Sequence, residues 1–477
     1  MKNTFWCDFY HLTTAQTLFN EGMHETQDTF EAFIRKNPFG GGYTVSAGLA
    51  LVLEWIKDWG YSKSGIKKLA TLKYPDGTRK FSDEFLNYIQ TQPCKLTINA
   101  MPEGELVFPN EPIYQISGPK WQVLMVETAV LNAMNSSSLI ATKASRVKYA
   151  ANGKTVIEFG LRRMQEINGL NVTRSVMIGG VDATSNVDAG LKYDLPLVGT
   201  HPHAFVMSFD NEYDAFYAWL KNNPQNRTLL LDTYNTERGI DNAIRAAKAL
   251  GFEYTSGRLD SGDLNYLSNS AHKKFDAENV PQGKIIASND LNEYTIQSLE
   301  SQGAHIDIYG VGTAMVTASD QPALGGVYKI KETDGKDKIK FSEDAIKTTI
   351  PGATEVIRML DSDGKFSGDV ILSSKNSFVQ SGYLPTSITS VNIANGKHKV
   401  FNVGHQFYKP MVRVVTDGAV DKKFIKKPVM QIAEFAKRNL DKLDKSHRRF
   451  ENPHQYVSGL ELALFQKRQQ MIEDNQR

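Results

Sequence analysis

Residues 228–251, TLLLDTYNTERGIDNAIRAAKALG, combine a short apolar run with a longer amphipathic segment. The run TLLLDTY is first apolar and then polar, which is typical of a buried strand that ends at a loop. In the segment that follows, four apolar side chains recur at helical spacing on one face: Ile240, Ala243, Ile244 and Ala247. Gly251 stands where it can end that helix. The stretch therefore predicts one strand–loop–helix unit.

The same pattern recurs between about residues 155 and 312. The apolar, β-rich runs are TVIEF, SVMIG, LPLVG, TLLLDTY, FEYTSGRL, KIIAS and HIDIYGV. They start near residues 155, 175, 195, 228, 252, 284 and 305, at intervals of 20 to 33 residues. That interval is the size of a strand–loop–helix unit, so the pattern predicts a parallel α/β sheet. Seven units in a row favour a (β/α) barrel over an open doubly wound sheet, and no GxGxxG sequence follows the first strand.

The N-terminal region has a different pattern. Apolar residues at helical spacing precede Gly60, which can end a helix: Leu49, Val52, Leu53 and Ile56. Further along, GELVFPNEPIYQISGP (104–119) is typical of a small β unit. These elements lie outside the repeating units and predict a separate packing layer.

The C-terminal third contains more strand-like runs, GDVILS (368–373) and KPMVRVVTDG (409–418), and a basic, helix-compatible tail from about residue 428. We therefore predict a barrel flanked by a second α+β domain built from both chain ends. The predicted boundaries are 126–345 for the barrel-like catalytic domain and 1–125 packing with 346–477 for the second domain.

Composition limits the classes of function. The 477 residues are 41% hydrophobic and 23% charged, as expected for a globular protein of two or three domains. The net charge of +2 implies no general affinity for nucleic acid or membrane surfaces. Two cysteines form neither a disulfide framework nor a CxxC site. No signal peptide or run of 18 apolar residues is apparent, so a cytoplasmic protein is expected.

In a barrel, the residues just after each strand line one mouth, where the chemistry is usually located. Here those segments are GLRRMQ, GGVDATSN, GTHPH, DTYNT, RLDSGDL, SNDLN and GVGT. Arginine, aspartate, histidine, threonine, asparagine and glycine converge there. The pattern indicates a site for a charged substrate.

The segment RLDSGDL (258–264) carries the most specific chemistry. Asp260 and Asp263 can hold Mg²⁺ together with substrate phosphates, or stabilise a developing positive charge. Arg258 adds a planar fork that suits a carboxylate or a phosphate. The structural alternative is that Asp260 or Ser261 caps a helix and Asp263 is merely solvated.

A second segment, YGVGTAMVT (309–317), places two glycines and a threonine after a strand. Backbone N–H groups at Gly310 and Gly312, with the Thr313 hydroxyl, can cradle a phosphate, and barrels often bind phosphate after their last strands. A plain tight turn is the alternative. No GxxxxGK[ST] sequence occurs, so a P-loop is excluded.

Two histidines, His201 and His203, lie one residue apart in VGTHPHAF (198–205). A His-x-His on a barrel strand can bind metal, but such a site needs further ligands on later strands. His305, in a later strand, lies at the end away from the mouth. The metal site is therefore disfavoured, and either histidine can instead be structural.

A series of ordered stretches matches one known family over most of the chain. They are DFYHLTTAQ (8–16), RKNPFGGGYTVSAGL (35–49), FPNEPIYQISGP (108–119), NSSSLIATKASR (135–146), EFGLRRMQ (158–165), GGVDATSNVDAGLKYDLPLVGTHPHAF (179–205), GRLDSGDL (257–264), YGVGTAMVTASDQPALGGVYKI (309–330) and HRRFENPHQY (447–456). These stretches resemble nicotinate phosphoribosyltransferases. The resemblance implies an incomplete, distorted barrel of the type II phosphoribosyltransferases and a homodimer whose subunits share each active site.

The resemblance also implies the reaction. Nicotinate and phosphoribosyl pyrophosphate give nicotinate mononucleotide and pyrophosphate, a step of NAD biosynthesis, while ATP is hydrolysed to ADP and phosphate. The family pattern Gly-Thr-x-x-His places the transiently phosphorylated histidine at His203 rather than His201. Relatives often carry a hydroxyl or acidic residue after it, and Ala204 departs from that pattern.

The other roles follow residue by residue from the same resemblance. Tyr10 looks like the aromatic that stacks on the pyridine ring from the neighbouring subunit, and Thr200 and Arg258 look like nicotinate contacts. The phosphoribosyl pyrophosphate contacts implied are Arg162, Arg163, Asp260, Asp263, Gly310, Gly312 and Thr313. Mg²⁺ is expected mainly on the substrate pyrophosphate, with Asp260 and Asp263 as possible protein ligands and no direct histidine ligand.

Three rival functions remain at this level. A nicotinamide phosphoribosyltransferase would do the same chemistry, but a buried Arg258 facing an amide would lack a counter-charge. A metal-dependent hydrolase would use His201 and His203 as ligands. A non-catalytic relative should have lost some of the matching residues, and His203, Arg258, Asp260 and Thr313 are all retained.

Overall fold

The computed structural model describes residues 4–280, 283–342, 347–381, 385–402 and 406–476. The chain divides into two compact units. The first unit comprises Met1–Leu139, Ala323–Lys427 and Phe435–Arg477, and the second unit comprises Ile140–Pro322 and Pro428–Glu434. The domain boundaries at 125/126 and 345/346 stay a prediction.

The strands and helices follow one another along the whole chain. The strands are β1 (Gln27–Ile34), β2 (Thr44–Val45), β3 (Thr97–Ala100), β4 (Leu106–Val107), β5 (Tyr114–Pro119), β6 (Thr155–Glu158), β7 (Ala183–Thr184), β8 (Thr228–Leu230), β9 (Ser256–Leu259), β10 (Ile285–Ala287), β11 (Ile308–Val311), β12 (Gly326–Thr333), β13 (Lys336–Asp337), β14 (Thr354–Leu360), β15 (Phe366–Ser373), β16 (Ser387–Val391), β17 (His398–Asn402), β18 (Phe407–Tyr408), β19 (Val412–Thr416), β20 (Ala419–Val420) and β21 (Ser458–Glu461). The helices are α1 (Phe9–Asn20), α2 (Leu49–Lys57), α3 (Lys63–Ala70), α4 (Asp83–Thr91), α5 (Lys120–Met125), α6 (Glu127–Ala150), α7 (Leu170–Ile178), α8 (Val187–Tyr193), α9 (His203–Met207), α10 (Glu212–Asn222), α11 (Thr236–Ala249), α12 (Leu264–Ala277), α13 (Glu293–Ser301), α14 (Thr313–Thr317), α15 (Ser377–Ser381), α16 (Lys423–Lys426), α17 (Val429–Lys442) and α18 (Leu462–Gln476).

The second unit contains a parallel sheet with the order β7-β6-β11-β10-β9-β8. The last strand, β11, pairs with the first, β6, in the register Tyr309↔Val156, as in a barrel. A parallel bridge between Thr184 and Leu197 extends the sheet beyond β7. Within the described residues no strand pairing joins Leu197 to β8, so the barrel has an open seam there. The predicted incomplete (β/α) barrel is confirmed.

Two of the seven predicted strands are wrong. SVMIG lies in α7, where Ser175, Val176, Met177 and Ile178 are all buried, and a short buried apolar run does not by itself distinguish helix from strand. LPLVG contributes only the bridge at Leu197, because Pro196 has no N–H for a sheet ladder. The strand of that region is β7. The other five runs contain β6, β8, β9, β10 and β11.

The first unit joins both chain ends, as predicted. Its larger sheet has the order β13-β12-β1-β5-β3-β19-β20, so β1 and β19 belong to one sheet. A second sheet has the order β17-β16-β21-β15-β14-β18 and takes β21 from the C-terminal region. The predicted helix at residues 49–56 is α2, and its four apolar positions are buried. The predicted runs GDVILS and KPMVRVVTDG contain β15 and β19.

One helical stretch of the described chain, Lys120–Ala150, is long and apolar enough to cross a membrane by length and composition. Of its most apolar window, 61% is buried inside the structure. Core helices of folded proteins pass the same test when they are mostly buried, so the stretch is weak support for a membrane span.

A fully buried arginine, Arg358 on β14, ties three segments of the first unit together. Its guanidinium lies 2.7 Å from Asp369 on β15 and 2.6 Å from Glu105, and it donates a 2.8 Å hydrogen bond to the Leu106 carbonyl. All three charged side chains are at most 2% exposed. The cation therefore compensates two carboxylates that water does not reach.

We expect Arg358→Met to destabilise the protein by about 3–5 kcal/mol, because removing one partner leaves buried carboxylates without a counter-charge. The free energy of unfolding in urea measures the effect. Lys397→Met, in an exposed turn, is the matched control and should change it little. Equal unfolding midpoints for the wild type and Arg358→Met would contradict this account.

Candidate active site

The loops after the parallel strands of the second unit surround a cavity of about 440 Å³. Because the carboxyl ends of parallel strands meet at one edge, segments far apart in sequence come together there. Its lining residues are Phe159, Arg162, Arg163, Ser185, Gly199, Thr200, His201, Pro202, Arg258, Asp260, Ser288, Asn289, Asp290, Gly310, Gly312 and Thr313. Eight of the predicted site residues are among them: Arg162, Arg163, Thr200, Arg258, Asp260, Gly310, Gly312 and Thr313.

Arg258, at the end of β9, is held in a fixed orientation. Its Nε donates to Ser288 Oγ at 2.7 Å, Nη1 donates to Thr200 Oγ1 at 3.0 Å, and Nη2 donates to Asp260 Oδ1 at 2.8 Å. The guanidinium carbon lies 5.4 Å from the centre of the Phe159 ring. These bonds use three of the five guanidinium N–H groups. Two remain to donate to an anionic ligand.

This pairing corrects one argument from the sequence. We expected that a guanidinium facing a neutral amide would lack a counter-charge, but Asp260 already supplies one at 2.8 Å. The presence of Arg258 therefore does not by itself separate a nicotinate site from a nicotinamide site.

His203 begins the short helix α9 and is open to solvent, with 41% of its side chain exposed. Its Nδ1 lies 3.1 Å from Thr233 Oγ1, and its Nε2 lies 3.8 Å from Asp260 Oδ2. With the proton on Nδ1, that nitrogen donates to Thr233, and Nε2 keeps a lone pair. The imidazole is then suited to nucleophilic attack.

His201 is structural. It is buried, packs against the rings of Phe205 and Trp219, and accepts a 3.2 Å hydrogen bond at Nε2 from the backbone N–H of Leu230 in β8. The imidazole thus partners an edge-strand N–H at the open seam. Burial lowers its pKa to about 4, so the ring is neutral.

The residues of the phosphate loop predicted at 310–313 have different positions in the structure. Gly310 lies within β11, where a Cβ would meet the Phe159 ring at 2.5 Å, so packing accounts for this glycine. Gly312 precedes α14 and Thr313 is its first, exposed residue. Their N–H groups at the helix start remain suitable for an anion.

Arg162 and Arg163 lie in a short 3-10 helix, Leu161–Arg163, directly after β6. Both are exposed, and neither forms an ion pair within the described chain. The preceding Glu158 is buried; it accepts hydrogen bonds from the Gly160 N–H and, at 2.6 Å, from Thr184 Oγ1. Burial raises the pKa of Glu158. This carboxyl group anchors the start of the loop that carries the two arginines.

Three predicted residues are not part of the cavity lining: Tyr10, His203 and Asp263. His203 lies next to the cavity, because its Nε2 is 3.8 Å from Oδ2 of the lining residue Asp260. Asp263 is exposed and caps α12, where it accepts the Tyr266 N–H at 3.0 Å, so the cap is Asp263 rather than Asp260 or Ser261. Tyr10 belongs to α1 in the first unit and is 53% exposed.

Two residues of the site were missed from the sequence, Asp232 and Ser288. Asp232 Oδ2 accepts the Asp260 N–H at 3.0 Å and the Ser261 hydroxyl, and Ser288 Oγ donates to Asp260 Oδ1 at 2.6 Å. Ser288 directly follows β10, as Asp260 follows β9, and Asp232 lies two residues after the end of β8. The mouth segments SNDLN and DTYNT contain them, but nothing in the sequence singles them out.

A divalent cation fits this part of the mouth only partly. Asp232 Oδ1 is buried without a hydrogen-bond partner in the described structure, and Asp260 Oδ2 makes no hydrogen bond there. Hard cations such as Mg²⁺ prefer such carboxylate oxygens. The described residues contain no cluster of three or more candidate ligands, so most of the coordination would come from substrate and water.

Comparison with known proteins decides the family. The model of the nicotinate phosphoribosyltransferase N-terminal domain matches residues 5–135, and that of the C-terminal domain matches residues 354–468. A nicotinate phosphoribosyltransferase of Bacillus subtilis is 41% identical over 373 residues, covering 76% of this chain and 75% of the relative. This chain belongs to the nicotinate phosphoribosyltransferase family.

Other family members agree with this assignment over nearly the whole chain. The Dictyostelium discoideum nicotinate phosphoribosyltransferase is 32% identical, with 96% of this chain and 86% of the relative covered. The crystal structure of human nicotinic acid phosphoribosyltransferase superposes with a TM-score of 0.79 at 25% identity and covers 98% of this chain and 99% of that chain. Family membership and the bonded Nε2 of His201 leave the metal-dependent hydrolase without support.

The titration of His201 predicts a pH dependence of stability. Its pKa is about 4 in the folded protein against 6.5 ordinarily, so the unfolded chain binds the extra proton between these values. Stability is therefore full above pH 6.5 and falls as the pH drops toward 4, with a loss of about 2 kcal/mol at pH 5 relative to pH 7.

His201→Gln removes the titrating group and keeps an oxygen that can accept the Leu230 N–H. We expect its free energy of unfolding to fall about 2 kcal/mol less than that of the wild type between pH 7 and pH 5. His272→Gln, at an exposed histidine, is the control and should follow the wild type. Parallel curves for His201→Gln and wild type would show that His201 does not titrate in this way.

Proposed function

We propose that this protein transfers the phosphoribosyl group of phosphoribosyl pyrophosphate to nicotinate, releasing pyrophosphate and forming nicotinate mononucleotide for NAD biosynthesis. The observation that carries the transfer site is the Arg258 fork, which Ser288, Thr200 and Asp260 orient at the mouth of the barrel. The choice of nicotinate over nicotinamide rests on family membership. Relatives from bacteria to a slime mould bear the name of this activity.

The proposed binding mode follows from the charges of the cavity. The two remaining N–H groups of Arg258 bind the nicotinate carboxylate, and charge-assisted pairs of this kind are the strong hydrogen bonds of proteins. Arg162 and Arg163, exposed and without ion pairs in the described chain, and the N–H groups at Gly312 and Thr313 receive the phosphate groups.

The transfer step needs stabilisation of positive charge on the ribose. As the bond from C1 of the ribose to pyrophosphate breaks, positive charge develops at that carbon and the ring oxygen, and the pyridine nitrogen of nicotinate attacks. Asp260, whose Oδ2 is open to the mouth, stabilises that charge. Asp232 and Asp260 are the protein residues that would hold Mg²⁺, which would supply positive charge for the pyrophosphate leaving group.

ATP coupling through His203 is part of the proposal. The imidazole is solvent-exposed, and Thr233 fixes Nδ1, which leaves Nε2 to attack the γ-phosphoryl group of ATP, giving ADP and phosphohistidine. Water then cleaves the phosphohistidine and releases phosphate. Ala204 offers no hydroxyl or carboxylate to the phosphoryl group, so backbone and neighbouring side chains must suffice.

We also propose a homodimer in which Tyr10 serves the partner's active site. Tyr10 is 53% exposed on α1, and its ring centre lies 4.0 Å from that of the neighbouring His11. In the second unit, Ile167, Val187 and Leu191 are 89%, 58% and 77% exposed. Large apolar side chains exposed together are typical of protein–protein interfaces.

The first assay measures pyrophosphate release from phosphoribosyl pyrophosphate and Mg²⁺ with nicotinate or nicotinamide, each with and without ATP. We expect release with nicotinate that ATP stimulates, because family membership and the cationic mouth favour an anionic acceptor. Release with nicotinamide alone would overturn the specificity, and no release with either acceptor would overturn the proposed reaction.

His203→Ala should retain slow, ATP-independent synthesis and lose stimulation by ATP, since it removes the phosphoryl acceptor but none of the Arg258 contacts. Acid-labile incorporation of the γ-phosphoryl group of ATP should disappear in the same variant. His272→Ala is the control. Unaltered ATP stimulation in His203→Ala would remove the histidine from this role.

A mixing experiment tests the shared site. The Tyr10→Ala and Arg258→Ala proteins are each expected to have low activity alone. The first homodimer lacks the ring contact at both sites, and the second lacks the carboxylate contact at both sites. After subunit exchange at equal concentrations, about a quarter of all sites should be intact. Mixed dimers without recovered activity would place Tyr10 in its own subunit's site or in none.

A further inference from the structure

Ser288 is a buried hydroxyl at the centre of the mouth. It directly follows β10, is 5% exposed, and its backbone N–H donates to the Leu259 carbonyl at 2.9 Å. Leu259 lies between Arg258 and Asp260 in the chain. The backbone bond therefore fixes the hydroxyl beside both of these side chains before any ligand arrives.

The hydroxyl bridges the ion pair in one defined direction. Its Oγ accepts from Arg258 Nε at 2.7 Å and donates to Asp260 Oδ1 at 2.6 Å, while Arg258 Nη2 reaches the same Oδ1 at 2.8 Å. Arginine can only donate and an ionised carboxylate can only accept, so the single hydroxyl proton must point to Asp260. The three groups form a closed ring of hydrogen bonds.

This ring determines what the two charged groups present to the cavity. With Nε bonded to Ser288, rotation about the Cδ–Nε bond would break that hydrogen bond. Because the guanidinium is planar, its Nη groups therefore stay toward Thr200 and Asp260. With Oδ1 accepting two bonds, the other oxygen, Oδ2, is turned toward His203 Nε2 at 3.8 Å. One serine thus orients both a ligand fork and a carboxylate.

We propose that Ser288 is a positioning residue for acceptor binding, acting through Arg258. The proposal rests on the nicotinate transfer proposed above. Ser288 is closely packed against β11, since a Cβ built on Gly310 would lie 3.2 Å from Ser288 Cβ. Ser288→Ala adds no atom and removes only the hydroxyl, so it fits this space with little change of shape.

The test compares steady-state kinetics of wild type, Ser288→Ala, Arg258→Ala and the double variant. Ser288→Ala should raise the KM for nicotinate about tenfold, as expected for loss of one charge-assisted bond, and leave the KM for phosphoribosyl pyrophosphate within about twofold. In the Arg258→Ala background, adding Ser288→Ala should change the nicotinate KM less than twofold, because the fork it orients is gone. Ser301→Ala, at an exposed serine near the end of α13, is the matched control.

The outcomes separate the two proposals. Two results with an active wild type would overturn the positioning role alone. The first is a nicotinate KM that Ser288→Ala leaves unchanged. The second is a double variant whose rise in nicotinate KM equals the product of the rises in the two single variants. A wild type without nicotinate-dependent pyrophosphate release would overturn the proposed function. Thermal unfolding checks folding, and if Ser288→Ala does not fold, Ser288→Cys takes its place, with a nicotinate KM expected between wild type and tenfold because a thiol is a weaker donor and acceptor.

Discussion

The pairing of β11 with β6 is the constraint on which the active-site region depends. It joins the last strand of the repeating units to the first, with Gly310 opposite Ile157 and Val311 opposite Glu158. The loop after β6, with Arg162 and Arg163, therefore emerges beside the loop after β11, with Gly312 and Thr313. Gly310 permits this closeness because the Phe159 ring occupies the space of a side chain. Two segments about 150 residues apart in sequence become neighbouring walls of one cavity.

Closure at that pair is accompanied by an open seam on the other side of the barrel. There, His201 accepts the Leu230 N–H, and Asn226 donates to the Gly199 carbonyl at 2.8 Å. Side chains thus replace part of a missing strand ladder, since buried backbone donors need partners. The same segment carries Thr200 to Arg258 and His203 to Thr233. The two histidines that look alike in the sequence thereby have different surroundings, one a buried acceptor and the other exposed.

Much of the fold was accessible from the sequence because helices and strands with one buried face leave a periodic pattern. Helix α11 and its buried face, helix α2 and five of the seven barrel strands appear where the pattern places them. The pattern failed at SVMIG, because a run whose residues are all buried shows no periodicity that distinguishes a helix from a strand. For the site, the rule that polar residues follow strands found Arg258 and Asp260. The same rule could not show that Asp263 only caps a helix, whereas Asp232 and Ser288 form hydrogen bonds to Asp260.

The sequence by itself determined the fold class, the family and the set of polar residues at the strand ends, because these depend on local periodicity and on ordered stretches of residues. Only the tertiary structure decided which of those residues act together. The ring of Ser288, Arg258 and Asp260 joins the ends of two neighbouring strands through bonds of 2.6 to 2.8 Å. Distances of that kind depend on strand register and side-chain direction, which no single segment encodes, because each segment acquires its partner only when the parallel strands align.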